Sequence, residues 1–368
     1  ASRHTPPGRQ TSQVVYAGKP LVSGQQCFWK VCAWDRDGIQ TAFSEQSSWS
    51  MGLLAQSDWS GKWIGLDSGP LDTVGGRSKP GPKPVFLRAA FSVDKPVRRA
   101  VVYASALGVF DLYLNGSRVS DELFSPEWTD FEKRVQYRAW DVTGRLAQGG
   151  NVVGAVLADG WYSGFLAWQP WRCSYGGTQN SFVMQLAVEY EDGSTQTIVT
   201  DESWRVNNGP LLEADFQMGE VYDARLELPG WDAAGFDDSA WKAADVFAAP
   251  SVPIVALPAQ PVRITQEIKP VAVFQPKPGA YVFDLGTNFA GMVRLKVSGQ
   301  AGDKVVLRFA ERLNPDSTVY TANLRSARAT DTYILKGGGE EVWAPRFTFH
   351  GFQYVELTGY PGEPGPDA

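Results

Sequence analysis

The chain has 368 residues, of which 34 are Lys or Arg and 40 are Asp or Glu, so its net charge is −6. This balance provides no basic field that would attract nucleic acid or an anionic membrane surface, which argues against both as partners. No stretch approaches the roughly 20 consecutive apolar residues that cross a bilayer. The 14 tryptophans, 38 glycines and 24 prolines indicate many short strands and turns, and the length suggests roughly two or three domains.

Residues 1–56 resemble the later part of a small fibronectin type III-like sandwich. Apolar residues alternate along the segment 27–35, which predicts a strand, and Asp37-Gly38 follows it as a hairpin turn. The first strands of such a domain are not found in the sequence, and the chain does not begin with Met. We therefore expect it to be part of a longer protein, and the sequence does not predict whether that protein is exported or remains in the cytoplasm.

A polar segment rich in Gly and Pro, residues 57–83, is predicted to be a linker, and the largest domain is predicted to follow it at residues 84–250. Six strands are predicted in this domain, at residues 85–91, 100–114, 134–142, 154–157, 182–189 and 196–200. The strand that ends at Leu114 leads into Asn115-Gly116, residue types that accept the positive φ of a tight turn, and the next strand is expected around Val135. Strands at this spacing, without long amphipathic helices between them, predict a jelly-roll type β-sandwich.

The remaining part of the chain repeats this pattern after a second predicted linker at residues 251–265. Strands joined by Gly-rich turns predict another sandwich at residues 266–362. The predicted fold class is therefore all-β, with a partial fibronectin type III-like sandwich followed by two antiparallel jelly-roll-type β-sandwich domains.

Carboxylates and aromatic residues are the main candidates for chemistry, since the chain has only two histidines, His4 and His350. A glycosidase needs two carboxylates on either side of one bond. The candidates stand in or near predicted turns, where aspartates often only close the turn, and they are Asp130, Asp159, Glu220 and Asp223. Calcium binds six to eight oxygen ligands, which loops at one end of a jelly roll can provide, so Asp130 and Asp159 are predicted as metal ligands. Trp161 and Trp168 are the aromatic candidates for stacking on the apolar face of a sugar ring.

Several longer motifs are more specific than any single residue. The sequence contains LYLNGSRVSD from residue 112, PEWTDFEKRVQY from residue 126, LADGWYSG from residue 157, GEVYDAR from residue 219 and WAPRFTFHGFQYVELTG from residue 343. In this order, over residues 29–359, they resemble the amino-terminal half of bacterial α-L-rhamnosidases. The resemblance implies β-sandwiches ahead of an (α/α)6 barrel, and hydrolysis of terminal α-linked L-rhamnose with inversion. It also implies that the domain at 84–250 is similar to a sandwich that binds rhamnose with calcium in some members.

The resemblance transfers no catalytic residue, because the family's catalytic acids lie in the barrel, which would begin beyond residue 352. We therefore expect the chain alone to be inactive and to serve as the accessory half of a rhamnosidase. Its partners would be L-rhamnose, rhamnosylated glycans and the catalytic barrel of the same parent chain. The residues expected to hold sugar are Asp130, Asp159, Trp161, Glu220 and Asp223.

Other interpretations of the sequence stay open. The chain could be a stand-alone carbohydrate-binding or adhesive β-sandwich protein, or part of a polysaccharide lyase or another glycosidase. In the motif around residue 220, an internal contact between Asp223 and Arg225, or between Glu220 and Arg225, would serve to shape the loop instead of binding sugar.

Overall fold

The computed structural model describes residues 16–69, 81–168, 171–175 and 179–368. Nearly all regular structure in these residues is β. In chain order, the strands and the single α-helix turn are β1 (Gln26–Trp29), β2 (Ser47–Ser50), β3 (Trp63–Gly65), β4 (Val85–Val93), β5 (Val97–Leu107), β6 (Val109–Leu114), β7 (Ser117–Arg118), β8 (Val135–Asp141), β9 (Gly149–Ala158), α1 (Gly160–Ser163), β10 (Ser181–Tyr190), β11 (Thr195–Val199), β12 (Arg205–Asn208), β13 (Leu211–Asp215), β14 (Gly219–Asp223), β15 (Lys242–Ala243), β16 (Asp245–Phe247), β17 (Ile254–Ala256), β18 (Ala272–Lys277), β19 (Ala280–Gly291), β20 (Leu295–Ser298), β21 (Lys304–Ala310), β22 (Arg312–Leu313), β23 (Val319–Tyr320), β24 (Thr330–Ile334), β25 (Glu340–Trp343) and β26 (His350–Thr358). No helix in the described part of the chain has the length and apolar character of a membrane span.

The chain divides into two units, Ala1–Trp59 and Ser60–Ala368. In the described part of the first unit, β1 and β2 form an antiparallel pair in which Cys27 lies opposite Trp49. The strand predicted over residues 27–35 therefore ends early. Beyond β1 the backbone turns at Gly38, whose φ is +80°, as the Asp-Gly sequence predicts.

A β-sandwich forms the first part of the second unit. One sheet has the strand order β16-β3-β10-β5-β8-β17, with β11 also paired to β10, and the other has the order β15-β12-β4-β9-β6-β7. Apolar side chains from both sheets fill the space between them, and they include Leu87, Phe110, Leu157, Phe182, Leu186 and Trp204. The predicted all-β fold with sandwiches is confirmed.

A glycine divides the longest predicted strand into two strands of different sheets. Gly108 has a φ of +136°, and a Cβ atom at this position would lie 2.5 Å from the carbonyl oxygen of Ala158. Only glycine fits such a corner, so β5 ends before it and β6 begins after it in the opposite sheet.

The predicted hairpin turn at Asn115-Gly116 is present, with φ values of +51° and +81°. The strand expected around Val135 is present as β8, but it is not the hairpin partner of β6. The turn leads into the short β7, where Tyr113 pairs with Arg118. The strand near Val135, β8, pairs instead with β5 in the other sheet.

Another sheet forms the second part of this unit, with the order β13-β14-β24-β21-β26-β19-β18. It packs against the small β20–β25 sheet through a core that includes Leu295, Val297, Phe309, Trp343 and Phe352. Most pairings are antiparallel, as predicted. Two pairs are parallel, β14 with β24 and β8 with β17.

Strand pairing extends beyond the predicted domains and linkers. The predicted linker at 57–83 contains β3, and the one at 251–265 contains β17. Strands β13 and β14 lie in sequence within the domain predicted at 84–250, yet they pair into the sheet of the following domain. The boundaries 1–56, 84–250 and 266–362 remain predictions, and this pairing places residues 211–223 at the junction between two sandwiches.

Candidate functional site

Asp159 follows β9 directly and is almost completely buried, with 2% of its surface exposed. Its Oδ2 atom accepts a hydrogen bond from Arg172 Nη1. Its Oδ1 atom accepts hydrogen bonds from Asn180 Nδ2 at 2.7 Å and from Ser163 Oγ at 3.1 Å. Burial raises the pKa of Asp159, against the opposing charge of Arg172 and the hydrogen bond from Asn180. The protein itself therefore occupies both oxygens of this carboxylate.

Arg172 connects Asp159 to a second buried carboxylate, Asp215 at the end of β13. Its Nη2 atom lies 3.8 Å from Asp215 Oδ2, and its guanidinium carbon lies 4.7 Å from the centre of the Phe165 ring. Asp215 also accepts hydrogen bonds from the backbone N–H groups of Phe165, at 2.9 Å, and Gln217, at 2.8 Å. Burial disfavours the charge of Arg172, but the two carboxylates outweigh this effect and raise its pKa.

Five aromatic side chains from separate segments pack together next to this ion-pair network. We call them the aromatic surface, and they are Phe124, Trp128, Trp161, Phe216 and Phe349. The ring centres of Trp161 and Phe216 are 4.2 Å apart. Trp128 lies nearly parallel to Trp161, at an angle of 10° and a centre-to-centre distance of 6.3 Å. Trp128 is 53% exposed, so the aromatic surface is open to solvent at this end.

The ion pairs and the aromatic surface are adjacent along the backbone. Trp161 follows Asp159 by two residues, and Phe216 follows Asp215 by one. Arg172 donates a hydrogen bond to Asp159 and lies within ion-pair distance of Asp215, so its charge connects the segments that carry the two packed rings. The sequence patterns did not indicate this role for Arg172. The sequence feature that could have indicated it is an arginine in a Trp-rich loop that follows an Asp-Gly-Trp motif.

Asp130 is the candidate carboxylate that remains accessible near the aromatic surface. Its side chain is 39% exposed, and it follows Trp128 by two residues. Its Oδ2 atom lies 3.0 Å from Lys133 Nζ, and the hydrogen bond from Lys133 lowers its pKa. An ionised carboxylate in this position can accept hydrogen bonds from sugar hydroxyl groups.

Glu220 lies on β14 and is completely buried, which separates it from any sugar in solvent. Its Oε2 atom accepts hydrogen bonds from the backbone N–H groups of Arg346, at 2.9 Å, and Phe347, at 3.1 Å. Its Oε1 atom has no hydrogen-bond partner among the described residues. Burial raises the pKa of Glu220 to about 8, and the charges of Asp331 and Asp111 add to this effect.

Asp223 ends β14 and pairs with Arg225. The Arg225 Nε and Nη2 atoms donate to the two Asp223 oxygens at 2.9 and 2.8 Å, and this contact lowers the pKa of Asp223. The predicted loop-shaping contact between Asp223 and Arg225 is therefore confirmed. The structure brings neither Glu220 nor Asp223 into the aromatic surface.

The residues predicted to hold calcium do not fit a calcium site as they are arranged. Asp159 is paired with Arg172 and Asp130 with Lys133, so a cation would have to displace a basic side chain at each carboxylate. Across the described ranges, no group of three His, Cys, Asp or Glu side chains is placed to hold a metal ion. Calcium binding stays a prediction.

Three family models match consecutive parts of the chain. The Rha78A-like N-terminal immunoglobulin domain matches residues 4–55, the α-L-rhamnosidase N-terminal domain matches residues 95–266, and the bacterial α-L-rhamnosidase concanavalin-like domain matches residues 274–368. The chain belongs to the bacterial α-L-rhamnosidase family. The predicted family resemblance is thus confirmed. The first match is to an immunoglobulin model, so the fibronectin type III assignment of the first domain stays a prediction.

Individual α-L-rhamnosidases are similar over most of this chain. One from Streptomyces avermitilis is 52% identical over 273 residues, which are 73% of this chain and 26% of that protein. One from Formosa agariphila is 38% identical over 364 residues, which are 97% of this chain and 39% of that protein. The chain therefore spans less than two fifths of the length of these relatives.

Solved structures of α-L-rhamnosidases share the fold. The Streptomyces avermitilis enzyme complexed with L-rhamnose has a TM-score of 0.87 at 33% identity, covering 96% of this chain and 50% of that chain. The Dictyoglumus thermophilum enzyme has a TM-score of 0.89 at 37% identity, covering 97% of this chain and 40% of that chain.

Proposed function

We propose that this chain is the non-catalytic accessory part of an α-L-rhamnosidase that acts on terminal α-L-rhamnosides, and that its aromatic surface binds L-rhamnose. The observation that carries the sugar-binding part is the exposed ring of Trp128, parallel to Trp161 and two residues from the accessible carboxylate of Asp130. The other proposed partners are rhamnosylated glycans and the catalytic part of the same parent protein.

The chemistry of L-rhamnose suits this arrangement. The sugar has an apolar methyl group at carbon 6 and C–H groups on its ring, which pack well on an indole face. Its hydroxyl groups need hydrogen-bond acceptors, and Asp130, two residues after the exposed indole, is an accessible charged acceptor. A ligand on one exposed face buries a small area, so we expect weak binding of the isolated sugar.

The absence of catalysis is proposed from the surroundings of the candidate carboxylates. Inverting hydrolysis requires two carboxyl groups roughly 6.5 to 9.5 Å apart with a water molecule between them. Each candidate here is already engaged, Asp130 by Lys133, Asp159 by Arg172, Glu220 by backbone amides and Asp223 by Arg225. We expect no release of the aglycone from an aryl α-L-rhamnoside by the purified chain, and a release rate above the buffer blank would contradict this part of the proposal.

Isothermal titration tests the binding part directly. Heat is expected on addition of L-rhamnose and a smaller response to L-mannose, which differs only by a hydroxyl group at carbon 6. Trp128→Ala should abolish the heat while the protein remains folded. Trp49→Ala, which removes a 41% exposed indole from the first unit, is the matched control and should bind normally.

The same titration in chelator tests the role of calcium. If L-rhamnose produces heat only when calcium is added, the result would support the prediction of a calcium ion at this site. Heat that persists in chelator would assign binding to the protein groups alone. No heat in either condition would contradict sugar binding by this chain.

A further inference from the structure

An exposed tryptophan that is not one of the five rings of the aromatic surface, Trp168, is paired with an arginine. Trp168 is 76% exposed, more than any other large apolar side chain in the described residues. The guanidinium carbon of Arg325 lies 4.1 Å from the centre of its indole ring. The two residues come from distant segments, the loop after α1 and the turn after β23, so the fold brings them together.

The backbone on each side of this pair is strained. Arg325 has φ +57° and ψ −109°, and Ala167, directly before Trp168, has a φ of +50°. Residues with a side chain rarely adopt such values. The carbonyl of Ala167 is held by Gln217 Nε2 at 2.8 Å. The fold thus maintains two unfavourable backbone conformations that present one exposed indole and one exposed guanidinium.

The charge of Arg325 has no acidic partner among the described residues. The other described arginine that is close in sequence, Arg328, is paired with Glu213 at 2.8 Å. A guanidinium has five N–H donors in one plane, a geometry that matches a carboxylate or another oxyanion. Arg325 lies over the Trp168 ring, yet 76% of the residue's surface is exposed, which leaves indole surface for stacking.

We propose that Trp168 and Arg325 form a second saccharide site, one that takes anionic sugars. The exposed indole surface would stack on a sugar ring, and the Arg325 guanidinium would bind a carboxylate or sulfate carried by the same or the next residue of the saccharide. This proposal is independent of the proposed binding of neutral L-rhamnose at the aromatic surface. Either proposal can be wrong while the other is correct.

Rhamnose-free oligosaccharides of equal length test this site separately. The probes are a tetramer of galacturonic acid, a sulfated galactose tetramer and the neutral galactose tetramer, titrated at low and physiological salt. The wild-type chain should bind at least one anionic tetramer at least about tenfold more tightly than the neutral one, and salt should weaken this binding. The anion that binds decides between carboxylate and sulfate.

Two variants and a control complete the experiment. Arg325→Ala should lower the affinity for the anionic tetramer at least about tenfold, and Trp168→Ala should lower the affinity for all tetramers. Arg312→Ala removes another exposed arginine, from β22, and should have no effect. Thermal unfolding verifies that each variant is folded. Equal affinity of wild type for anionic and neutral tetramers, no binding of either anion, or unchanged binding in Arg325→Ala would overturn the proposal.

Discussion

Asp159 and Arg172 form an ion pair in which neither side chain is more than 4% exposed. The pair lies where the Trp161 segment meets the loop that returns to β10. Arg172 also contacts Asp215, which precedes Phe216, so a single guanidinium holds both segments whose rings pack at 4.2 Å. The packing of the aromatic surface therefore depends on a charge that is buried away from solvent.

Replacing Arg172 with Met should strongly destabilise the second unit. The substitution leaves Asp159 and Asp215 buried without their cation, and breaking a buried ion pair in this way costs about 3–5 kcal/mol. A lower urea midpoint, measured by tryptophan fluorescence, checks this expectation. Lys133→Met breaks the solvent-exposed pair with Asp130 and should leave the midpoint unchanged. Equal midpoints for wild type and Arg172→Met would rule out a structural role for the buried pair.

Glu220 should make the stability of the second unit depend on pH. In the folded chain burial raises its pKa to about 8, whereas in the unfolded chain it has the ordinary pKa of a glutamate, about 4.5. Between these values the folded state retains a proton that the unfolded state releases. Stability is therefore greatest at low pH in this window and falls as the pH rises towards 8.

Glu220→Gln should remove this slope, because an amide fills the same space without titrating. The variant is expected to be as stable as wild type near pH 5 and more stable at pH 8, as measured by thermal unfolding across this range. Glu356→Gln, a half-buried position on β26, should retain the wild-type slope. A Glu220→Gln profile parallel to wild type would show that Glu220 does not hold the proton.

Phe216→Ala should weaken binding of L-rhamnose several-fold although Phe216 need not contact the sugar. Its ring supports Trp161, and without it the indole loses a packing partner worth about 0.5–1.5 kcal/mol. Titration calorimetry measures the effect. Phe289→Ala, which removes a ring packed on Phe352 in the other core, should bind rhamnose normally. If Phe289→Ala weakened rhamnose binding and Phe216→Ala did not, the loss of binding would come from general destabilisation.

Local sequence patterns were sufficient for the longer strands of the first sandwich and for the tight turns. Alternation along residues 109–114 predicts β6, and Asn115-Gly116 predicts the turn that follows it. The Asp223–Arg225 contact was predictable because the two residues are close in sequence. The family was predictable because its motifs occur in one order along the chain.

Pairings between segments that are far apart in sequence could not be predicted from local sequence patterns. The parallel pairing of Val221 with Thr332 joins positions more than one hundred residues apart, and it buries Glu220, which the sequence suggested as a sugar ligand. The switch of sheets at Gly108 depends on its close approach to Ala158, a residue of another strand. The ion pair between Asp159 and Arg172 also forms only in the tertiary structure. The sequence alone therefore could not exclude Asp159 as a ligand of calcium or sugar.

The most direct test of the proposed function observes the tryptophan indole N–H signals by NMR while L-rhamnose is added. Trp→Phe variants assign the signals of Trp128, whose indole donates to Tyr175 at 2.8 Å, and of Trp161. Rhamnose binding at the aromatic surface predicts saturable shifts of these two signals and none for Trp49. Saturating rhamnose that shifts neither signal would contradict the proposal that this surface binds the sugar.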